Sequence, residues 1–277
     1  MSRKHLVVAV LAVGLVALTG CVVSSPPDLP TTSSGRVLPE GTADYQLGGA
    51  YEAAAGVSIV VRDATEAADP DRYSICYING FQTQPSERDA WMTNHPELVL
   101  RGAEGEPVID ANWPDEMLLD TSTPQNREAI AAIHGATLEG CLGSSYSAVE
   151  FDNLDSYLRS DSALTEDDNI ALATLMVDRA HELGLVAGQK NAVELAERGR
   201  DEVGFDFAVT EECAVFDECA GYTDVYGPEV IAIEYSDDVT LQRFAEICAD
   251  PATPQKTILR DRDLVTAGSP EYVFAAC

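Results

Sequence analysis

The stretch AVEFDNLD, residues 148–155, decides which fold this chain can adopt. It begins like a buried strand, because three of its first four residues are apolar. It also carries three carboxylates and one amide within six positions, and an unpaired charge inside a sheet is very costly. The run therefore predicts a strand whose acidic end opens onto a polar site.

Short apolar runs of this kind alternate with helical patterns from residue 45 onward. Most of the runs are apolar on both faces, as the strands of a parallel sheet are. The candidate strands are residues 45–47, 57–61, 73–78, 117–120, 148–152, 186–190, 207–211, 230–235 and 257–260. Apolar residues at helical spacing predict helices over residues 124–138, 166–183, 192–200 and 240–248.

Alternating strands and helices predict an α/β fold, and the chain length suits a closed (β/α)8 TIM barrel, which takes about 250 residues. Nine candidate strands compete for eight places, so one early run is supernumerary, and residues 57–61 are the weakest candidate. An open doubly wound sheet is the alternative. No Gly-x-Gly-x-x-Gly pattern or phosphate loop follows the first strands, which removes the usual support for that alternative.

The first 20 residues have the pattern of a signal peptide. Arg3 and Lys4 precede an apolar run that, at about 13 residues, is too short to span a bilayer comfortably. The sequence LTGC ends at Cys21 and resembles a bacterial lipobox, which predicts lipidation of Cys21; an ordinary cleaved signal is the alternative. Residues 21–42, rich in Ser, Thr, Pro and Gly, predict a flexible tether, and residues 43–277 the barrel. We therefore expect a lipoprotein at the extracellular face of a bacterial membrane, or a secreted protein.

The remaining cysteines predict disulfides, because an even number in an exported chain is typical of a disulfide framework. Six cysteines allow 15 pairings, and the sequence favours only the local pair Cys213 and Cys219. A zinc site is the rival interpretation. No Cys-x-x-Cys occurs and the histidines do not lie at ligand spacing, so we expect no metal.

The chain is strongly acidic, with 47 acidic and 17 basic residues and a net charge of −30. Such a charge repels nucleic acid and attracts polycations, so no nucleic-acid partner is expected. On composition alone, adaptation to salt or simple solubility explains the excess. A cationic substrate is the functional interpretation.

Polar residues collect where the predicted strands end, and the carboxyl-terminal ends of barrel strands are where active sites lie. From the strand ends we take Tyr77, Asp120, Glu150, Asp152, Asn153, Lys190, Asn191, Glu211 and Glu234 as candidate site residues. Two carboxyl groups that flank a glycosidic bond can hydrolyse it, and crowding of acids separates their pKa values. A divalent-metal hydrolase and a structural network of acids are the alternatives.

At these residues the chain resembles glycoside-hydrolase family 114, the endo-α-1,4-polygalactosaminidase type. The resemblance covers about residues 44–277 and departs at residues 45–47 and at Thr210. It is carried by residues 149–155 (VEFDNLD) with the following Ser-Tyr, by a Lys-Asn strand end at 190–191, by Cys-Tyr at 76–77, and by Glu-x-Cys at 211–213 with a second Cys six positions on.

The resemblance implies a barrel whose catalytic pair is Asp152 and Glu211, with Glu211 chosen over Glu212 by its place in Glu-x-Cys. It also implies that Glu150, Asn153 and Asp155 shape the sugar site. We therefore expect a monomeric glycosidase that needs no cofactor and acts on a cationic aminosugar polysaccharide. As a working assignment, Glu211 is the acid and Asp152 the nucleophile or base; the reverse assignment, and retention or inversion, stay open at this point. A surface protein that binds such a polymer without cutting it is the alternative from another class, beside the metal-assisted hydrolase.

Overall fold

The computed structural model describes residues 37–277 of the chain. The predicted signal peptide and Cys21 lie outside these residues. Inside them, no helix combines the length and the apolar character needed to cross a membrane. Leu38 is already buried in the barrel interior and the first strand begins at Thr42, so the fold starts a few residues ahead of residue 43.

In residues 37–277, nine strands form one sheet in chain order. The first eight run parallel, and β9 adds an antiparallel edge beside β8. Because β1 also lies against β8, the sheet closes into the predicted (β/α)8 barrel. The strands are β1 Thr42–Gln46, β2 Val57–Asp63, β3 Tyr73–Asn79, β4 Ala148–Asp152, β5 Val186–Lys190, β6 Phe207–Glu211, β7 Val230–Tyr235, β8 Lys256–Arg260 and β9 Phe274–Ala276.

The helices cover the outside of the barrel. They are α1 Arg88–Asn94, α2 Pro124–Gly143, α3 Glu166–Glu182, α4 Ala196–Arg198, α5 Cys219–Tyr226 and α6 Leu241–Ala249. The helices α2 and α3 begin where the sequence predicts, because Thr123 and Thr165 accept hydrogen bonds from backbone N–H groups of the first turn. The predicted helix over residues 192–200 is instead broken into a 3-10 turn, the single turn α4 and a π turn.

Side-chain alternation divides each strand between the barrel interior and the helical layer. In β4, Val149 and Phe151 pack in the cluster between the sheet and the helices. Ala148 belongs to the interior cluster, and Glu150 and Asp152 follow on the same face. The acidic end of this face therefore opens at the carboxyl-terminal rim of the barrel.

The early part of the sheet differs from the prediction. Residues 57–61, expected to be the weakest candidate, lie in β2 between β1 and β3. Residues 117–120 are instead the return arm of an excursion between β3 and β4, and they pair in isolated antiparallel bridges with Gln82 and Val99. Both segments are extended and buried, so an apolar run alone does not separate a barrel strand from a covering segment.

Arg260 closes the seam between the last and the first parallel strands. In residues 37–277, β8 and β1 share no regular ladder, and the fully buried Arg260 guanidinium spans the gap. It donates to Asp44 at 3.1 Å and to the backbone carbonyl of Tyr45, both on β1. It also donates to the carbonyls of Val265 and Val273 in the C-terminal segment. The Arg260 guanidinium thus links the last parallel strand, β8, to the first, β1, and to the C-terminal segment.

The part of the chain that the structure describes contains three disulfides, as the cysteine count predicts. One joins β3 to α2, one closes the loop after β6, and one joins α6 to the C-terminus. The pairs are Cys76–Cys141, Cys213–Cys219 and Cys248–Cys277.

Candidate active site

Two carboxylates and one lysine meet at the carboxyl-terminal rim of the barrel. Asp152 ends β4, Lys190 ends β5 and Glu211 ends β6. The Lys190 Nζ lies 3.2 Å from Asp152 Oδ2 and 3.0 Å from Glu211 Oε2. The Lys190 side chain is 2% exposed, whereas those of Asp152 and Glu211 are 16% and 26% exposed. The lysine therefore lies under the two acids, which open toward solvent.

Lys190 is charged although it is buried. Burial alone would lower the pKa of Lys190. Three surrounding carboxylates outweigh burial and raise this pKa above its ordinary value; they belong to Asp152, Glu211 and Glu150. The ammonium also lies 5.6 Å from the ring centre of Tyr45, a distance at which an aromatic face attracts a cation.

Glu211 is held by hydrogen-bond donors from both neighbouring strands. Asn191 Nδ2 donates to Glu211 Oε2 at 3.0 Å, and the Tyr235 hydroxyl donates to Oε1. Asn191 Oδ1 in turn accepts from the Glu211 backbone N–H at 2.8 Å. Burial acts to raise the pKa of Glu211, but Lys190 and these donors lower it below its ordinary value. Glu211 is therefore ionised in the resting site.

Asp152 is held in a similar way. The Tyr77 hydroxyl donates to Asp152 Oδ2 at 2.8 Å, and the Asn153 backbone N–H donates to Oδ1 at 2.8 Å. Asn153 has a left-handed backbone, with φ of 67°, which turns the chain sharply at the end of β4. Its side chain donates to Asn79 at 2.8 Å and accepts from Arg159 at 3.0 Å. The predicted residues Tyr77 and Asn153 thus fix the orientation of this carboxylate.

Glu150 lies beneath the pair and is fully buried. The Tyr45 hydroxyl donates to Glu150 Oε1 at 2.5 Å, while Oε2 has no hydrogen-bond partner among the described residues. Burial raises the pKa of Glu150 to about 8, against the opposing effect of Lys190. This side chain is a neutral acid at neutral pH and lies beneath the open rim of the barrel.

Side-chain alternation in β7 places Glu234 on the outer face of the barrel and not at its mouth, contrary to the sequence-based expectation. Ile233 and Tyr235 face the barrel interior, so Glu234 faces outward. Its carboxylate is buried and accepts from the Ala214 backbone N–H at 2.9 Å. The inward position belongs to Tyr235, which the sequence-based choice of Glu234 at this strand end missed although the alternation of β7 points to it.

Two other predicted residues lie apart from the pair. Asp120 does not end a barrel strand; its carboxylate accepts from the backbone and hydroxyl of Ser122 in the turn before α2. Asp155 forms an ion pair with Arg159 at 2.8 Å, and Arg159 contacts the site through Asn153. Asp155 is thus linked to the Asp152 side of the site only through Arg159 and Asn153.

Glu116, in the excursion between β3 and β4, also reaches the rim. Asn79, at the end of β3, donates to Glu116 at 2.9 Å. Burial raises the pKa of Glu116 to about 7, while the Asn79 hydrogen bond opposes the shift. Glu116 follows no predicted strand end, so sequence reasoning had no signal for it.

Within residues 37–277, one group of three potential metal ligands lies close together: Cys213, Cys219 and Glu234. The two cysteines form a disulfide, so their sulfurs are not the thiolates that bind metals. At the rim, the ammonium of Lys190 takes the place between two carboxylates that a bridging cation would need. The donor set therefore favours acid–base chemistry over the metal-assisted alternative.

A (β/α)8 barrel that presents two close carboxylates at its carboxyl-terminal rim has the form of a glycosidase. The chain belongs to glycoside-hydrolase family GH114, whose family model matches residues 27–277. The resemblance seen in the sequence motifs is thereby confirmed.

Solved structures share the fold. The chain is similar to Ega3 from Aspergillus fumigatus, solved in complex with galactosamine, with a TM-score of 0.70 and 18% identity over 92% of this chain and 99% of that one. It is also similar to the glycoside hydrolase domain of PelA from Pseudomonas aeruginosa, with a TM-score of 0.52 and 13% identity over 82% of this chain and 97% of that one. Among curated proteins, none matches the sequence.

Proposed function

We propose that this member of family GH114 hydrolyses an α-1,4-linked polysaccharide that contains galactosamine, with Asp152 and Glu211 as its two catalytic carboxyl groups. The observation that carries the proposal is the shared lysine, because one buried ammonium holds both carboxylates at the open rim. Glycoside hydrolysis needs such a pair beside the scissile bond. Galactosamine is proposed as the sugar because of the motif resemblance and because the similar protein Ega3 was solved in complex with it.

The separation of the pair supports a retaining route. Lys190 Nζ lies 3.2 Å from one carboxylate oxygen and 3.0 Å from the other, so these two oxygens are no farther apart than the sum of the two distances. Retaining enzymes hold their carboxyl groups about 5–5.5 Å apart, and inverting enzymes about 6.5–9.5 Å. The upper bound for these two oxygens lies below the inverting range, and the proposed retaining route rests on that bound.

In the proposed first step, the Asp152 carboxylate attacks the anomeric carbon while the glycosidic C–O bond breaks. Glu211 gives its proton to the departing oxygen, which leaves a covalent glycosyl–enzyme. In the second step Glu211 takes a proton from water, and the water oxygen displaces Asp152 to free the new reducing end. Because Glu211 is ionised in the resting site, the first step requires that it first take up a proton from water. We propose that glycan binding favours this uptake by weakening the hydrogen bonds that stabilise the carboxylate.

The charge of the chain supports a cationic substrate. Galactosamine units without acetyl groups carry an ammonium, and a net charge of −30 attracts polycations over distances longer than any contact. Adaptation to salt still explains a general acidic excess. It does not explain why acids line the rim of the barrel.

Export is part of the same proposal. Three disulfides suit an oxidising compartment outside the cytoplasm, and the predicted lipidation of Cys21 would hold the barrel at the membrane surface. We propose that the protein acts there as a monomer.

The test is release of reducing ends from α-1,4-polygalactosamine by the full-length chain, with and without EDTA. We expect release that EDTA does not change, and a first-formed product whose anomeric configuration matches that of the substrate. Activity abolished by EDTA would support the metal-assisted alternative. Binding of the polymer without any release would support the surface binder.

A further inference from the structure

Arg262, in the segment between β8 and β9, is the centre of a cluster of charged side chains. Its guanidinium forms a forked pair of hydrogen bonds with the Glu212 carboxylate, at 2.9 and 3.2 Å. It also donates to Asp237 and to Asp238, each at 2.6 Å, in the segment after β7. One guanidinium thus connects the segments that follow β6, β7 and β8.

The same guanidinium lies against the ring of Tyr235, with its central carbon 4.5 Å from the ring centre. An aromatic face attracts a planar cation at this distance. The Tyr235 hydroxyl is the group that donates to Glu211 Oε1. Burial and the Glu211 carboxylate raise the pKa of Tyr235 well above its ordinary value, and the charge of Arg262 opposes this shift. Arg262 therefore makes the hydroxyl a stronger donor to Glu211.

Glu212 gives Arg262 a second connection to Glu211. The backbone of Glu212 is left-handed, with φ of 59°, a conformation that is uncommon for residues other than glycine and persists where contacts hold it. Its backbone N–H donates to the Ile233 carbonyl at 2.7 Å, and its carboxylate is held by Arg262. This turn fixes the direction of the chain immediately after Glu211, and it directs the second acid of the pair Glu211-Glu212 toward Arg262.

We propose that Arg262 is a positioning residue for Glu211, and that it acts through the Tyr235 hydroxyl and the Glu212 turn without contact with the substrate. The proposal rests on the proposed function for the catalytic role of Glu211. Loss of the guanidinium would leave the carboxylate of Glu212 and two neighbouring aspartates without their common cation. It would also free the Tyr235 ring, so that Glu211 is held less firmly and its ionised form is less stable.

A double-mutant cycle tests this action. Release of reducing ends from deacetylated α-1,4-polygalactosamine is measured for the full-length wild type, Arg262→Gln, Tyr235→Phe and the variant that combines both changes. Arg262→Lys keeps the charge but not the planar fork. Arg243→Gln removes an exposed arginine that pairs with Glu246 on α6, and it is the matched control. Urea unfolding shows for each variant that the chain is folded.

Arg262→Gln should lower kcat about tenfold and change KM less than about twofold, because Glu211 is misplaced while the contacts to the substrate remain. The loss should be smaller in the Tyr235→Phe background, since the hydroxyl through which Arg262 acts is then absent. Arg262→Lys should recover part of the loss, and Arg243→Gln should match wild type. Losses that multiply in the combined variant, a higher KM at constant kcat, or equal kcat values in Arg262→Gln and Arg243→Gln would each overturn the positioning role.

Titration of Glu211 adds a measurement that needs no turnover. The chain is labelled with carbon-13 at its glutamate carboxyl groups, and the Glu211 signal is the one that is lost in Glu211→Gln. Arg262→Gln should raise the pKa of Glu211, because nearby carboxylates lose their cation, and Arg243→Gln should leave it unchanged. The Arg262 variant keeps the titratable groups that face Glu211 directly, which are Lys190, Tyr235, Glu150 and Asp152.

The two measurements separate the positioning role from the proposed function. If wild type releases no reducing ends but the pKa of Glu211 rises in Arg262→Gln, the positioning role stands and the assigned hydrolysis fails. If the polymer is cut and neither kcat nor the pKa of Glu211 differs between Arg262→Gln and Arg243→Gln, the hydrolysis stands and the positioning role fails.

Discussion

Lys190 shows how one residue can hold two negative groups close together. Its ammonium is nearly inaccessible to solvent and contacts both Asp152 and Glu211. Without it, two neighbouring carboxylates would repel, and one would bind a proton at higher pH. The sequence placed Lys190 near the acids from its strand-end position, and the structure adds that it bridges them from below.

Lys190→Met is expected to lower kcat/KM by about 100-fold or more, because the pair loses its common partner. The acidic limb of the pH profile should also move to higher pH, since the carboxylates then ionise less readily. The measurement is kcat/KM against pH, with Lys190→Arg as the variant that keeps the charge. An unmoved limb in Lys190→Met would mean that Lys190 supports the fold and not the ionisation of the pair.

Glu150 links the site to the pH dependence of stability. Its pKa is raised to about 8 in the folded protein, from 4.5, so the folded state holds a proton that the unfolded state releases between these values. The free energy of unfolding therefore falls as the pH rises through this window. Glu150→Gln stays neutral and should gain stability relative to wild type between pH 5 and pH 8, as measured by urea unfolding. A constant difference across that range would contradict a neutral buried Glu150.

Among the elements, strands β4 to β7 could be predicted from the sequence with their ends in place, because each apolar run stops at a polar group. Strand β2 was the weakest strand candidate in the sequence, so its end was not searched for site residues. Asp63 ends β2 (VSIVVRD), just as polar residues end the other strands. Once β2 is a barrel strand, Asp63 belongs to the same rim.

Other features of the site depend on register and on contacts between distant segments. Strand β7 (VIAIEY) ends with two polar residues, Glu234 and Tyr235. Which of them faces the barrel interior depends on the orientation of the strand, and it is Tyr235. Glu116 comes from a segment without a repeating pattern, and its hydrogen bond to Asn79 spans 37 positions in the chain. No local pattern carries such information.

Helix α3 offers a test of stability apart from the site. Thr165 and Asp168 form a capping box, in which each side chain accepts from the backbone of the other. Thr165→Ala should lower the free energy of unfolding by about 1 kcal/mol and leave kcat/KM unchanged. Thr174→Ala, in the middle of the same helix, is the matched control and should change stability less. A loss of activity in Thr165→Ala without loss of stability would contradict this separation.

The whole barrel depends on the seam at Arg260. Its guanidinium is buried with Asp44, and the loss of one partner leaves the other charge uncompensated. Arg260→Met should therefore lower the free energy of unfolding by about 3–5 kcal/mol, as measured by urea denaturation. Arg243→Met removes an exposed ion pair with Glu246 on α6 and should have little effect. Equal losses in the two variants would show that Arg260 does not close the barrel.

The most direct measurement compares turnover with binding in Asp152→Asn and Glu211→Gln, each beside wild type. Release of reducing ends from deacetylated α-1,4-polygalactosamine is followed together with the dissociation constant for the same polymer. We predict that both variants lose turnover by at least about 100-fold while each still binds the polymer. Turnover that survives in either variant would contradict the two-carboxylate mechanism that the shared lysine supports.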